Sequence, residues 1–435
     1  MREIDTLGRA WRVICENGRS SHSIDTKREI EEFAQSAERR LTKIQRQLNR
    51  GAFRFRPAIG VAVPKKGKSS IRPLVIAPIE SRIVQRAIHD VLLNVPAIRR
   101  YAENPYSFGG VRKRDRTVAS VKAAIQAVLE AIRGGATYAI RSDISAFFTK
   151  IPKSTVTSIV SSATNEPEFV ELFSQAITVE LENLASLRER AADFPIHEIG
   201  VAQGNSLSPL LGNLLLYDFD QKMNADSCRC IRYVDDFIVL APSRRVAREQ
   251  FSYGLKLLSQ HGLEVSSDRE KSFRGDTAQG FGFLGIELHN GAIRPNKESR
   301  KRVLDRISAV IEDGIQAHRK SGKIDRRCSL IRILYEVSGI VAGWGHHYSF
   351  CNEKHIFYQL DCEVDQLLRR YLGSYADARQ QSDSRSRRRL LGVPLLEELI
   401  SHPSVWVNSK SEMSAKIASP SVAVAMQPQG AALTE

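Results

Sequence analysis

The fold of this chain is decided by residues 228–240, which read CRCIRYVDDFIVL. Two adjacent carboxylates, Asp235 and Asp236, stand between a short β-favouring run and the apolar run 237–240. Short apolar runs bounded by polar or turn residues are typical of buried strands, so we expect this carboxylate pair at the tip of a β-hairpin. The pair by itself fits a solvated turn equally well, because Asp is a common turn residue.

A third carboxylate, Asp143, lies far upstream in residues 137–150, TYAIRSDISAFFTK. The alternation that begins at Tyr138 predicts a strand ending at Asp143. A buried carboxylate without a cation beside it is costly, and three converging carboxylates repel one another unless divalent cations share them. Oxygen ligands favour Mg²⁺, and two Mg²⁺ ions roughly 4 Å apart would support nucleotidyl transfer by in-line phosphoryl displacement.

The composition favours a nucleic-acid partner. The 435 residues carry a formal charge of +15, which attracts polyanions, either nucleic acid or an anionic membrane surface. No stretch reaches the length of a membrane span and the first residues lack a signal-peptide apolar segment, so we expect nucleic acid and no membrane. Six cysteines without paired C-x-x-C motifs indicate a reduced, cytoplasmic protein without structural zinc.

The spacing of apolar residues changes near residue 51, from the three- and four-residue steps of a helix to the alternation of a strand. Residues 1–50 place apolar side chains at helical spacing and Lys or Arg on the remaining face, which is either simply solvated or in contact with RNA or DNA. Residues 51–76 are extended on both sides of a Lys-rich turn and predict a hairpin. The tip of this hairpin is either a phosphate contact or an exposed turn that aids solubility.

Helices and strands then alternate to the end of the chain. Ser208 is predicted to be a helix N-cap, with Pro209 at the first helical position. Residues 262–300 read as strands with a His-Asn-Gly turn, followed by a basic helix. Residues 378–389 are predicted to be a basic linker, residues 390–400 a short apolar helix, and the residues beyond them a disordered tail.

Six motifs occur in a fixed order: RPLVIAPIESRIVQ, SFGGVRKRDR, SDISAFF, GVAQGNSLSPLLGN, YVDD and GFLG. This set resembles bacterial reverse transcriptases, the group that includes group II intron proteins, retron enzymes and antiviral defence-associated enzymes. The resemblance covers about residues 5–375. It implies an α+β right-hand polymerase, in which an antiparallel palm sheet packs on helices and an α-helical thumb follows.

The resemblance also implies domain boundaries. It divides the chain into a basic N-terminal helical arm (1–50), fingers (51–135), a palm with the Asp triad (136–290), a helical thumb (291–378), and a basic linker, short helix and tail (379–435). The block GIVAGWGHHYSF, with the residues that follow it, is similar to the thumb, or X domain, of group II maturases.

Site residues follow from the same resemblance. Asp143, Asp235 and Asp236 become the catalytic, metal-binding triad, and Ile144 joins them in the metal set. Phe148 occupies the position of the aromatic steric gate that excludes a 2′-hydroxyl, and Tyr233 and Val234 lie beside the primer end. The residues expected to bind the incoming nucleotide are Lys65, Lys66, Arg72, Phe148, Gln203 and Tyr233.

The implied activity is RNA-directed DNA polymerisation with two Mg²⁺ ions, for which Mn²⁺ can substitute. The expected partners are an RNA template, a DNA primer or product, and dNTPs. Ala202 departs from the usual Pro of the family, and Asn205 and Ser206 are also unusual. No Cys/His-rich endonuclease module follows the thumb, which favours an antiphage defence enzyme that copies a partner noncoding RNA.

Other functions stay open at this point. A group II intron or retron-type reverse transcriptase or maturase carries the same motifs. An untemplated or protein-primed DNA polymerase would use the same carboxylates. A maturase that acts only as an RNA-binding scaffold would keep the fold, although eroded carboxylates would be expected in that case.

Overall fold

A computed structural model describes residues 1–19, 23–64, 71–111, 120–268, 272–319 and 328–398. The chain divides into two compact units. The first comprises Met1–Ser299 with Tyr348–Lys354, and the second comprises Arg300–His347 with His355–Glu435.

The first unit contains eleven α-helices and ten strands among its described residues. Its helices are α1 (Ile4–Arg19), α2 (Ile24–Ala34), α3 (Ala37–Asn49), α4 (Ile79–Leu92), α5 (Pro96–Ala102), α6 (Val121–Arg133), α7 (Lys153–Thr164), α8 (Pro167–Ile177), α9 (Leu184–Leu187), α10 (Ser208–Met223) and α11 (Arg244–Ser259). Its strands are β1 (Ile59–Pro64), β2 (Ile71–Ile76), β3 (Ser107–Phe108), β4 (Tyr138–Asp143), β5 (Arg229–Tyr233), β6 (Asp236–Ala241), β7 (Phe273–Asp276), β8 (Phe281–Phe283), β9 (Ile286–His289) and β10 (Ala292–Pro295).

A five-stranded sheet in the order β3-β5-β6-β4-β7 is the centre of the first unit. β3 runs parallel to β5, and the other neighbours are antiparallel. The apolar residues of β6 are almost completely buried, as expected for a strand that is covered on both faces. β5 and β6 form the predicted hairpin, and β4 pairs with β6 so that Asp143 lies opposite Asp236.

The three N-terminal helices pack into the same hydrophobic core as the sheet. Leu7 of α1, Phe33 of α2 and Ile44 of α3 are buried in one cluster with residues of β4 and α10. The Ser23 hydroxyl accepts a hydrogen bond from the Thr26 amide and so caps α2. These helices are therefore part of the folded unit.

Two smaller sheets flank the central one in sequence. β1 and β2 form the predicted hairpin, whose tip with Lys65 and Lys66 lies outside the described residues. β8, β9 and β10 form a three-stranded meander. Its Asn290-Gly291 turn has positive φ at both residues, as the His-Asn-Gly motif predicts for a type I′ hairpin.

The second unit is helical in its described part. Its elements are α12 (Lys297–Arg319), α13 (Leu330–Tyr348), α14 (Lys354–Gln380) and α15 (Ser384–Leu391). α12, α13 and α14 share a core in which Ile311, Ile333 and Tyr371 are almost fully buried. Within the described ranges, no helix combines the length and the apolar character needed to cross a membrane.

The helix that begins near Ser208 starts one residue earlier than predicted. Leu207 is the N-cap residue, and Pro209 therefore occupies the second helical position. The Ser208 hydroxyl donates to the Ala202 carbonyl instead of capping the helix, at 2.6 Å. The Asn205 side chain accepts from the Leu207 amide and supplies the missing interaction at this end.

The C-terminal prediction was wrong in two places. The linker expected at 378–389 is helical, because α14 continues to Gln380 and α15 then begins after Asp383, whose carboxylate accepts from the Ser386 amide. Gly392, which follows the last residue of α15, has the positive φ of a helix terminator. The apolar helix expected at 390–400 is absent from its described part, in which α15 ends at Leu391 and a 3-10 turn follows at Leu396–Glu398.

The buried position of α2 leads to a stability prediction. Phe33 packs against Trp11 and beneath the Arg40 guanidinium, so Phe33→Ala should lower the free energy of unfolding by about 3 to 5 kcal/mol. Ile24→Ala, on the exposed side of the same helix, should change it by less than about 0.5 kcal/mol. Urea unfolding followed by circular dichroism measures both, and equal small losses would show that α2 is not part of the core.

Candidate active site

Three carboxylates from two segments of the chain converge at one end of the central sheet. Asp143 ends β4, Asp236 begins β6 directly opposite it, and Asp235 lies in the turn between β5 and β6. One carboxylate oxygen from each of the three lies within 4.8 Å of the others. Asp143 is buried and the other two are half-buried, so the cluster opens toward solvent on the side of the turn.

The turn that carries Asp235 has an unusual backbone. Val234 has φ of 58°, a region that β-branched residues rarely adopt and that costs on the order of 1 to 3 kcal/mol. Its amide donates to the Phe108 carbonyl at 3.2 Å, and the Ile144 amide donates to the Asp235 carbonyl at 2.9 Å. The turn is thus fixed to β3 on one side and to the end of β4 on the other.

A cation lies beside the carboxylates. Arg141 is two residues before Asp143 on β4, and its guanidinium donates to the Gly282 carbonyl at 2.6 Å. Burial lowers the pKa of Arg141, while Asp236 and Asp143 act in the opposite direction. The sequence interpretation missed this residue, although the alternation of a strand places positions 141 and 143 on one face.

The cluster has the donor set that a hard divalent cation requires. Three carboxylates within 4.8 Å concentrate negative charge, which cations of the Mg²⁺ or Mn²⁺ type neutralise with oxygen ligands. The residues present therefore fit the expected metal. The side chain of Ile144 is buried and apolar, so only its backbone carbonyl could act as a ligand.

The expected steric-gate residue follows the triad strand directly. Phe147 and Phe148 begin a 3-10 turn, and their rings lie 5.3 Å apart. Phe147 is buried against Gly212 of α10, where a Cβ would come within 2.8 Å of the ring. Phe148 is half-buried, and its carbonyl accepts from the Val201 amide at 2.7 Å. The buried Phe147 ring thus anchors the turn, and the Phe148 ring beside it stays partly exposed.

The loop with Gln203 is joined to the β1–β2 hairpin. The Gln203 carbonyl accepts from the Val75 amide at 3.0 Å, and Gly204 has φ of 110° where it passes the Val75 carbonyl. A side chain at Gly204 would therefore be strained. Arg72 is exposed on the same strand as Val75, opposite Val63. Lys65 and Lys66, the other expected nucleotide ligands of this hairpin, lie outside the described residues.

Tyr233 lies at the end of β5, next to the turn. Its side chain is half-buried, and burial raises the pKa of its hydroxyl. Gly109 passes so close to the ring that a Cβ there would lie 3.0 Å from it. Gly109 of the second motif therefore packs against Tyr233 and Val234 of the fifth, while Gly110 lies against Pro209 at the start of α10.

The sequence interpretation also missed a charged pair beneath the turn. Arg232 of β5 and Asp220 of α10 are both completely inaccessible to solvent and contact each other through two hydrogen bonds. Nothing in the sequence distinguished these two residues, because β5 also contains Arg229 and α10 also contains Asp218 and Lys222. The partner of each could not be read from the sequence.

A model of the family described as reverse transcriptase (RNA-dependent DNA polymerase) matches residues 63–288, more than half of the chain. The chain belongs to the reverse transcriptase family. The resemblance inferred from the ordered motifs and the α+β right-hand polymerase fold class are both confirmed. The matched region contains all three clustered carboxylates.

Curated relatives are more distant. The chain is 28% identical over 181 residues to an uncharacterized 91 kDa protein in the cob intron of Schizosaccharomyces pombe, covering 42% of this chain and 20% of the relative. It is 24% identical over 279 residues to protein YkfC of Escherichia coli, covering 56% and 69%. It is 21% identical over 365 residues to the group II intron-encoded protein LtrA of Lactococcus lactis, covering 67% and 57%. The chain thus spans only a fifth of the first relative and little more than half of LtrA.

Metal binding by the cluster should stabilise the protein. A saturating divalent cation at 100 times its dissociation constant adds about 2.7 kcal/mol to the free energy of unfolding, so Mg²⁺ or Mn²⁺ should raise the melting temperature. Asp235→Asn should remove most of this rise, whereas Asp218→Asn, at an exposed carboxylate on α10, should preserve it. Thermal melting with and without the cation checks this, and an equal rise in both variants would place the cation elsewhere.

Proposed function

We propose that this chain is an RNA-directed DNA polymerase that extends a DNA primer with dNTPs on an RNA template. The observation that carries the proposal is the convergence of Asp143, Asp235 and Asp236 within a region that belongs to the reverse transcriptase family. In this proposal residues 51–135 act as fingers, 136–290 as palm and 291–378 as thumb.

The triad would hold two divalent cations, Mg²⁺ or Mn²⁺, with the Ile144 carbonyl as an additional ligand. When bound, such a pair supplies charge stabilisation for the attacking and leaving oxygens of an in-line displacement. The Arg141 guanidinium beside Asp143 and Asp236 limits the negative charge of the cluster and ties β4 to β8. This contact orients the carboxylates by fixing the strand that carries one of them.

The remaining site residues bind and select substrates in this proposal. Arg72, with Lys65 and Lys66, would bind the triphosphate of the incoming nucleotide. Gln203 would line the nucleotide pocket from a loop that its own carbonyl joins to β2. Tyr233 would contact the primer end, next to the turn that carries Asp235. In this arrangement the nucleotide contacts the β1–β2 hairpin, the loop with Gln203 and the palm.

The charge of the chain supports a nucleic-acid template. The formal charge is +15, and exposed cations extend along one side of α3 at Arg39, Lys43 and Arg46. Residues spaced by four and three positions share one face of a helix. No ion pair of these three side chains occurs within the described residues. They therefore form a cationic row that suits a phosphate backbone.

The biological role is proposed as antiphage defence, with a dedicated structured noncoding RNA as template. The similarity to a group II intron-encoded protein favours the second candidate, an intron or retron-type element. Sequencing of RNA that co-purifies with the full chain separates them. A single structured RNA that is neither a group II ribozyme nor a retron msr-type RNA supports the defence role, and either of those two RNAs supports the other.

Polymerase activity gives the direct test of the proposed reaction. Purified protein with Mg²⁺, dNTPs and a DNA primer annealed to RNA should extend the primer with the complementary sequence. Asp143→Ala and Asp235→Ala should each reduce extension to less than a few per cent of the parent, because each removes an oxygen ligand from the site. Asp218→Asn serves as the control and should retain parental extension.

Two outcomes would refute parts of this proposal. Residual extension well above a few per cent in both alanine variants would remove the carboxylates from the catalytic site. Extension that continues without RNA, with products that match no added template, would identify an untemplated polymerase instead.

Selection of the sugar gives a separate prediction for Phe148. A half-buried ring at this position excludes a 2′-hydroxyl by contact, so Phe148→Ala should increase ribonucleotide incorporation relative to deoxynucleotide incorporation by roughly tenfold or more. The ratio of kcat/KM for rNTP and dNTP measures the change. Phe147→Leu, which alters the buried neighbour, is the matched control, and an unchanged ratio in Phe148→Ala would exclude the gate assignment.

A further inference from the structure

A completely buried ion pair lies directly beneath the turn that carries Asp235. Arg232 Nε donates to Asp220 Oδ1 at 2.8 Å, and Arg232 Nη2 donates to Asp220 Oδ2 at 2.5 Å. Neither side chain is accessible to solvent. The two-bond geometry fixes the plane of the guanidinium, as a lysine at the same position could not do.

Neutral side chains complete the surroundings of the pair. Asn104 donates to Asp220 Oδ2 at 2.7 Å, and the Asn213 side-chain oxygen accepts from Arg232 Nη2 at 3.1 Å and from the Ser107 hydroxyl at 2.9 Å. The network therefore joins α10, β5 and the segment that leads into β3. Such a network holds its members rigidly because each polar group has a partner.

One donor of Arg232 leaves this network and reaches the turn. Its Nη1 donates to the Val234 carbonyl at 2.9 Å. The Val234 amide is bound by Phe108, and the next carbonyl, that of Asp235, is bound by the Ile144 amide. Both peptide groups that flank Asp235 are therefore fixed, the first by Arg232 and the second by Ile144, the residue that follows β4.

Stability alone does not explain the pair. Burial of two charges costs several kcal/mol, and an apolar pair of similar volume is often as stable or more stable. Val234, in contrast, needs an external restraint, because a β-branched residue with φ of 58° tends to relax toward negative φ. Relaxation would rotate the peptide before Asp235 and move its carboxylate away from Asp143.

We propose that Arg232, oriented by Asp220, is a positioning residue that holds the Val234-Asp235 peptide and thereby sets the affinity of the carboxylate cluster for divalent cations. The inference rests on the proposed function in that the triad is taken as the metal site. Arg232 itself touches neither metal nor substrate in this proposal. Its effect passes through one backbone carbonyl.

The test measures metal binding directly. Electron paramagnetic resonance of free Mn²⁺ gives the dissociation constant for the full chain without any substrate, at a temperature where circular dichroism shows each variant folded. Arg232→Lys and Asp220→Asn should each raise that constant by about tenfold, the range that residues supporting metal ligands typically show. The same variants should raise the Mg²⁺ concentration for half-maximal extension and leave the KM for dNTP nearly unchanged.

Two further variants separate positioning from general destabilisation. Ile88→Ala removes a buried side chain of α4 and lowers stability without contact to the turn, so its Mn²⁺ affinity should equal that of the parent. Val234→Gly in the Arg232→Lys background should recover most of the lost affinity, because glycine adopts positive φ without a restraint. Should Arg232→Lys fail to fold, Asp220→Glu keeps both charges and displaces the guanidinium, and it is measured in the same way.

Different results would overturn the positioning role of Arg232 and the assignment of the metal site. Parental Mn²⁺ affinity in folded Arg232→Lys or Asp220→Asn, or in Asp220→Glu where the former does not fold, would overturn the positioning role. An Asp143→Ala variant that binds Mn²⁺ like the parent would instead overturn the metal site on which the proposed function depends.

Discussion

The antiparallel pairing of β4 with β6 is the constraint on which the rest of the site depends. It sets Asp143 opposite Asp236 and brings the neighbouring turn with Asp235 into the same cluster. Three carboxylates within 4.8 Å oppose folding by mutual repulsion unless positive charge compensates them. The apolar residues of β6 and the helices beneath it supply the burial that keeps these strands in register, since a shift by one residue would turn every side chain to the other face.

The surroundings of the cluster share a common physical role, which is to restrict the backbone that carries the carboxylates. Arg141 joins β4 to β8, Arg232 holds the Val234 carbonyl, and the Ile144 amide holds the Asp235 carbonyl. Cation sites need ligands placed within a few tenths of an ångström, and flexible turns do not provide this. A turn that is held by several hydrogen bonds to neighbouring elements meets this requirement, although its backbone conformation is energetically unfavourable.

Local sequence patterns predicted the central part of the site, but they could not predict its long-range contacts. The hairpin and the end of β4 follow from short apolar runs that stop at Asp residues, and the ordered motifs identified the family. The partners of Arg232 and Arg141 could not be predicted, because Asp220 and Gly282 approach them only in the tertiary structure. α15 was misread as a linker because its arginine-rich composition concealed two helix signals that were present, Asp383 at the start and Gly392 at the end.

The most direct test of the account is the position of bound cations in the protein itself. A crystal structure of the full chain grown with Mn²⁺, a primer–template duplex and a non-hydrolysable dNTP analogue gives these positions from anomalous scattering. We expect two Mn²⁺ peaks, with oxygen ligands from Asp143, Asp235 and Asp236. Density for Mn²⁺ elsewhere in a complex that has bound the nucleotide, with none at these carboxylates, would contradict it.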